Sequence, residues 1–349
     1  MKLTLCHYDL RLADPWRIAR RSRTSTSIKV FVVELSDGSG VVGRGESSPS
    51  SRYDESTQSG SKFLQDIDLG RLSFVNSAAS LAWIDLLPGG EQSARNALSV
   101  ALLDGAAKLS GQPLHRFLGL GFAEGRHVTS FSIGLATPEI IRKKVLAAKE
   151  FPILKLKVGS PGDRKCLAAL REVAPSKPVR VDANEGWKTK EEALRTIEWL
   201  AADGNIEFVE QPMPAAQPVA DWRWLKARSP LLIFADESFR SPEDVARCAE
   251  CFHGINIKLV KVGGVHRALA ALQAAKAAGL KTMLGCMVET SLLISAGAHL
   301  AEACDFLDLD GNLLISNDPF QGVSAKHGVL SFTDAPEPCG LRVCRLEPQ

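Results

Sequence analysis

The chain has 349 residues, 45% hydrophobic and 23% charged, with a formal net charge of +2. That is the balance of an ordinary globular protein long enough to bury a large core, and it supplies no field that would draw in nucleic acid or a membrane surface. No apolar run reaches the roughly 18 residues of a transmembrane helix, and the opening MKLTLCHYDLRLADPW, interrupted by His7, Asp9 and Arg11, does not read as a signal peptide.

Residues 1–115 read as α+β. The run IKVFVVEL (28–35) is β-branched and apolar, SDGSG after it is a hairpin turn, and VVGRGE (41–46) is the returning strand. RNALSVALLDGAAKLSG (95–111) carries apolar residues at helical spacing and stops at a glycine. Across 116–319 short apolar strands alternate with amphipathic helices. The strands are expected at 128–134, 151–159, 178–184, 206–212, 231–238, 254–261, 281–287 and 304–310. Eight such steps in so short a stretch predict a (β/α)8 TIM barrel rather than an open sheet. The tail, 320–349, with Pro336, Pro338 and Gly340, is expected to return to the first domain. The eight cysteines are scattered, which suits a reducing, cytoplasmic compartment and thiols packed as small apolar groups. Cys248 and Cys251 form a CxxC with no second pair, and read as two cysteines on a helix face rather than a zinc site.

A barrel strand buried on both faces should be apolar, yet these strands end in charges, always on the C-terminal side where barrel enzymes hold their chemistry. Lys157, Asp182, Glu210, Asp236 and Lys258 follow one another at intervals of 22 to 28 residues, one strand-plus-helix unit each. Successive strands therefore deliver one group apiece to a common mouth. Asp182, Glu210 and Asp236 would repel one another unless a cation sits between them, and all-oxygen donors suit Mg²⁺. Lys157 and Lys258 flank the acids in strand order, so they face each other across the mouth. A lysine beside a cation and another ammonium should have a lowered pKa and serve as a base. Lys155 shares a strand face with Lys157, and two inward ammoniums are explained by a bound carboxylate gaining negative charge. Asp308 and Asp310, also two apart, make a cation site.

Lys155 and Lys157, Asp182 and Asn184, Glu207 and Glu210 with Gln211 and Pro212, Asp236 with Glu237 and Ser238, and Asn256, Lys258, Gly263 and Gly264 together resemble the enolase superfamily, muconate-lactonizing subgroup, in order and along nearly the whole chain. The resemblance implies an α+β capping domain over a modified, (β/α)7β barrel. Asp308-Leu-Asp310-Gly311 looks like the paired aspartates that hold a substrate ammonium in dipeptide epimerases. The loop from Gly45 to Ser56 is similar to the capping loop of L-Ala-D/L-Glu epimerases, with Asp54 where a glycine is usual. The implied activity is Mg²⁺-dependent epimerisation of a dipeptide at the α-carbon of its C-terminal residue. Lys157 and Lys258 are the implied bases, Asp182, Glu210 and Asp236 the metal ligands, and Lys155, Asp308, Asp310, Ser132 and Cys286 the substrate contacts. Arg20, Arg21 and Arg23 would meet an acidic side chain, whereas Asp54, Glu55 and Glu289 would favour a cationic one. Barrels of this family often form homo-oligomers. Other activities on the same scaffold stay open: N-acylamino acid racemase, o-succinylbenzoate synthase and muconate cycloisomerase. So do a Schiff-base aldolase and a metal-binding protein without catalysis.

Overall fold

A computed structural model describes residues 1–20 and 24–347. The chain opens with an antiparallel sheet in the order β1 (Lys2–Trp16), β2 (Ser25–Ser36), β3 (Val42–Ser47). Strand β1, which the apolar pattern did not mark, is an edge strand with one fully buried side chain, Leu10. Its position is set by pairing with β2, from Lys2 opposite Ser36 to Arg11 opposite Ser27. Helices α1 (Thr57–Gln65), α2 (Ser77–Asp85) and α3 (Gln92–Leu109) follow. The long α3 is buried continuously from Ser93 to Ala107 because it packs against β3 on one side and the barrel on the other.

After the single turn α4 (Leu114–Phe117) come β4 (Phe131–Ile133), α5 (Pro138–Ala147), β5 (Leu154–Lys157), α6 (Asp163–Val173), β6 (Val179–Asp182) and α7 (Lys190–Ala201). Next are β7 (Ile206–Glu210), α8 (Val219–Lys226), β8 (Leu232–Ala235), α9 (Val245–Cys251) and β9 (Gly254–Lys258). The short α10 (Leu259–Val262) and α11 (Val265–Ala277) precede β10 (Lys281–Gly285), α12 (Ser291–Ala298) and β11 (Phe306–Asp308). The eight strands are parallel neighbours in chain order, and a parallel bridge from Thr129 to Leu307 brings the first edge back to the last. Seven strand–helix steps and a final strand make the modified barrel that the resemblance implied. Its floor is aromatic: Phe208, Phe234 and Phe306 pack together with Met283, and the Arg180 guanidinium lies 5.4 Å from the Phe208 ring centre and 5.2 Å from that of Phe306. No helix among the described residues is long and apolar enough to cross a membrane.

One strand expectation is corrected. The apolar run 254–261 does not stay extended: β9 stops at Lys258 and residues 259–262 wind into α10. Gly263 and Gly264, at φ 91° and 140°, then turn the chain into α11. The consequence is that Lys258 and Lys261 stand one helical turn apart.

The cap is held against the barrel by buried polar contacts. Glu46, at the end of β3, accepts from the Thr290 backbone N–H at 3.0 Å and from the Thr290 hydroxyl. Ser48 donates to the Val288 carbonyl at 2.9 Å. Glycine is obligatory where β3 crosses α3: a Cβ on Gly45 would lie 2.1 Å from the Ala97 carbonyl oxygen. Gly45→Ala is therefore expected to cost about 1–3 kcal/mol of stability through overpacking, read as a lower urea midpoint; an unchanged midpoint would contradict this packing.

Burial, only partly offset by the Thr290 hydrogen bonds, pushes the Glu46 carboxyl up from 4.5 to about 7. The folded chain thus keeps a proton that the unfolded chain has released, and this group's stabilisation is lost as pH rises from 4.5 through 7. The stability of Glu46→Gln relative to the natural chain is expected to improve across that window in denaturant titrations at successive pH values. A difference that stays flat with pH would show that Glu46 does not titrate there.

Candidate active site

Parallel register, not only strand order, sets the charges side by side. Lys157 lies opposite Asp182, and Asp182 opposite Glu210. On the other side Lys258 lies opposite Gly285, and Gly285 opposite Asp308. Carboxylate oxygens of Asp182, Glu210 and Asp236 come within 4.8 Å of one another, all three residues buried. Lys155 Nζ sits among the acids, 2.6 Å from Asp308 Oδ2, 2.7 Å from Glu210 Oε2 and 3.3 Å from Asp182 Oδ2. Lys157 Nζ is 2.6 Å from Asp182 Oδ2, and Lys258 Nζ is 2.9 Å from Asp236 Oδ2. Lys155, Lys157, Lys258, Asp308 and Asp310 all line one cavity between barrel mouth and cap.

The titration behaviour follows from these contacts. Burial opposes charge on Asp236, but Lys258 and Lys261 outweigh it and hold the carboxyl well below its usual range. Asp182 is lowered against burial by Lys157 and Lys155. Glu210 goes the other way, pushed up to about 7 by burial and by Asp182. Burial also works against the Lys258 ammonium, yet Asp236 and Glu210 hold its pKa above the ordinary lysine value. The lowering expected of this lysine as a base rests on a cation sharing those same carboxylates.

The two strand-end aspartates have different surroundings. Asp308 takes Lys155 at 2.6 Å and the Ser130 hydroxyl at 2.6 Å; burial pushes it up, but Lys155 and Lys157 bring it to about 2. Asp310 accepts the Ser132 backbone N–H at 2.6 Å and is raised by burial and by Asp308 to about 6. Ser132 and Cys286 line the same cavity, and burial with the nearby Asp310 raises the Cys286 thiol well above its usual range.

The cap closes the cavity with Trp16, Ile18, Arg20, Pro49 and Tyr53. Arg20 is already engaged: its guanidinium donates to Glu237 on the loop after β8. Arg21 and Arg23 lie outside the described residues. Three acids expected near substrate, Asp54, Glu55 and Glu289, do not line the cavity. Asp54 ends a short helical turn in the left-handed conformation, φ 60°, and is exposed. Glu55 accepts from the Gln92 N–H at 2.8 Å at the start of α3. Glu289 is buried rather than exposed to substrate, and burial with the nearby Glu46 pushes its carboxyl well up. Cys248 and Cys251 are buried free thiols, and no metal-binding cluster among the described residues includes them.

Three supporting residues escaped sequence reasoning as individuals. Asn256 donates to Glu210 Oε1 at 2.8 Å. Gln211, at φ 37°, accepts from the backbone N–H groups of Asp236 and Ser238 at 2.9 and 3.0 Å. Lys261 reaches Asp236. Gln211 and Asn256 lie inside the motifs that carry the family resemblance, and alternation along β9 sets Asn256 on the same face as Lys258. Lys261 was hidden by reading the segment as strand.

The donor set fits a small hard cation: three buried carboxylates on adjacent strands, all oxygen, with the carbonyl oxygens of Asn184 and Asn256 buried nearby and without a hydrogen-bond donor. An acid-lined mouth on a (β/α)7β barrel under an α+β cap, flanked by lysines from β5 and β9, defines a barrel enzyme built to handle protons next to a metal ion. Residues 141–336 match the enolase C-terminal domain-like model, and residues 1–119 match the N-terminal domain of mandelate racemase and muconate lactonizing enzyme. The chain belongs to that family, the enolase superfamily. It is 55% identical to the L-Ala-D/L-amino acid epimerase of Pedosphaera parvula, over 98% of this chain and 99% of that one. It is 40% identical to the L-Ala-D/L-Glu epimerase of Bacteroides thetaiotaomicron, over 99% and 88%. The dipeptide epimerase of Cytophaga hutchinsonii, solved with Mg and the dipeptide D-Ala-L-Val, superposes with a TM-score of 0.89 at 26% identity, over 99% of this chain and 95% of that one.

A Cβ on Gly285 would lie 2.3 Å from Asn256 Oδ1, so this glycine makes room for the side chain that orients Glu210. Gly285→Ala is expected to displace Asn256 and weaken Mg²⁺ binding by about 10-fold or more, the usual cost of losing an outer partner of a metal ligand. Calorimetric titration with Mg²⁺ reads it directly, and undiminished affinity would show that Asn256 plays no part.

Proposed function

We propose that this chain is a Mg²⁺-dependent dipeptide epimerase that moves a proton from one face of an α-carbon to the other with Lys157 and Lys258 as the two bases. The observation that carries the reading is that these lysines approach the acid trio from different sides, Lys157 through Asp182 and Lys258 through Asp236, while both face the same cavity. Held by Asp182, Glu210 and Asp236, Mg²⁺ supplies Lewis-acid stabilisation to the substrate carboxylate when bound.

The chain's own residues do the rest. Lys155, buried among acids that keep its pKa well above normal against burial, is a permanent cation beside that carboxylate, where negative charge grows as the α-proton leaves. One of Lys157 and Lys258 takes the proton and the other, still an ammonium, returns one to the opposite face. The two proton transfers at the C-terminal residue thus need no acid or base beyond the pair. Asp308 and Asp310, lining the same cavity, supply negative charge for the dipeptide's ammonium, which an acylated amino acid lacks. The relatives named for L-Ala dipeptides support this choice over the racemases of acylated substrates. Trp16 and Ile18 from the cap exclude water from the reacting carbon. A cytoplasmic setting fits the eight free thiols.

Incubation with an L-Ala-L-X dipeptide library in D₂O and Mg²⁺ is expected to give epimer and one mass unit of deuterium at the C-terminal α-carbon. Lys157→Ala and Lys258→Ala are each expected to abolish epimerisation, with losses of at least 10²–10⁴ for the missing proton transfer. One of the two should still exchange the α-proton of a single stereoisomer. Normal epimerisation by either variant would remove the two-base scheme.

A further inference from the structure

The segment 256–261 grips two of the three clustered acids. Its Asn256 holds Glu210, while Lys258 and Lys261 both hold Asp236, from opposite oxygens: Lys258 on Oδ2 at 2.9 Å and Lys261 on Oδ1 at 2.6 Å. The two lysines are not equivalent. Lys258 lines the cavity. Lys261 does not, and its ammonium is spent on protein acceptors: Asp236 Oδ1, the Asp236 carbonyl at 2.6 Å and the Asn256 carbonyl at 3.3 Å. It is 3% exposed, a depth a lysine reaches only when fully paired.

A base that serves the substrate must leave its resting partner. When Lys258 turns to the α-carbon, Asp236 Oδ2 loses its ammonium. Asp236 is itself 2% exposed, so without a second anchor its carboxylate would be free to rotate beside the metal at the moment its geometry matters.

We propose that Lys261 is a positioning residue: it fixes Asp236 through Oδ1 and the carbonyl, so that Asp236 keeps its place as a metal ligand while Lys258 departs and returns. This rests on the two-base, metal-dependent reading above. It explains why β9 breaks at Lys258. A continuing strand would turn residue 261 to the other face, whereas one turn of α10 brings it back beneath Asp236. The role makes a directional claim. Removing a positive charge beside a carboxylate should by Coulomb's law tighten cation binding there, whereas removing a clamp should loosen it, so the sign separates the two.

The test uses the full chain with Mn²⁺ as the probe, its binding followed by electron paramagnetic resonance and that of Mg²⁺ by calorimetry. Lys261→Met keeps the length and removes charge and donors. Lys261→Gln keeps one donor for the Asp236 carbonyl and serves as the second variant should the first fail to fold, as judged by circular dichroism. The expected result is a 10- to 100-fold weaker Mn²⁺ affinity in either, with Lys261→Arg recovering at least part of the loss. Unchanged or tighter binding in a folded variant overturns the proposal. Mn²⁺ binding needs no substrate, so a natural chain that binds the ion yet leaves every dipeptide unchanged would sink the epimerase reading without deciding this one.

Discussion

The structure depends on one electrostatic constraint: several carboxylates are buried together at the mouth of the barrel, and none can stay charged there without a cation within reach. Burial alone would push each of them up. What keeps Asp182, Asp236 and Asp308 below the ordinary range is Lys155, Lys157, Lys258 and Lys261 set between them. Glu210 and Asp310 remain pushed up, to about 7 and about 6. Strands that would otherwise be uniformly apolar surrender their last positions to this charge lattice, and an aromatic floor of Phe208, Phe234 and Phe306 packs beneath it.

The lattice also explains why the cap matters. Arg20 and Arg52 come from the first domain and reach Glu237 and Glu185, acids on loops that follow the barrel strands. Glu46 and Ser48 reach Thr290 and Val288 on the loop after β10. Cap and barrel are therefore joined by polar contacts around the rim of the site, while Trp16 and Ile18 complete its wall. The left-handed backbone at Asn184, Glu185 and Gln211, all just past β6 and β7, is the kind of local strain that persists where surrounding contacts over-determine it.

Much of this was legible in the sequence. Strands flanked by glycine-stopped helices, with one charge at each C-terminal end and an interval of one βα unit between them, specify a parallel barrel and a common mouth. The acids that cluster, and the lysines beside them, follow from that alone. Three things were not legible, each for a physical reason. Strand β1 is an edge strand whose alternation slips phase between Leu5 and Cys6, which breaks the apolar pattern. Residues 259–262 are apolar in either conformation, and the choice of helix lies in two glycines beyond them. The direction of an isolated charge cannot be read from a loop: Arg20 meets Glu237 across 217 positions, and Glu55 turns to a helix start instead of the cavity.

The central claim is a spatial one, that a metal ion on Asp182, Glu210 and Asp236 holds a dipeptide with its α-carbon between Lys157 and Lys258. A crystal structure with Mg²⁺ and a slowly turned-over dipeptide measures it most directly. The expected result is a carboxylate bound to an ion on the three acids, with the two amines on opposite faces of the α-carbon at the roughly 3–3.5 Å of a near-attack geometry. Both amines on one face, or an ion held away from those acids, would contradict it.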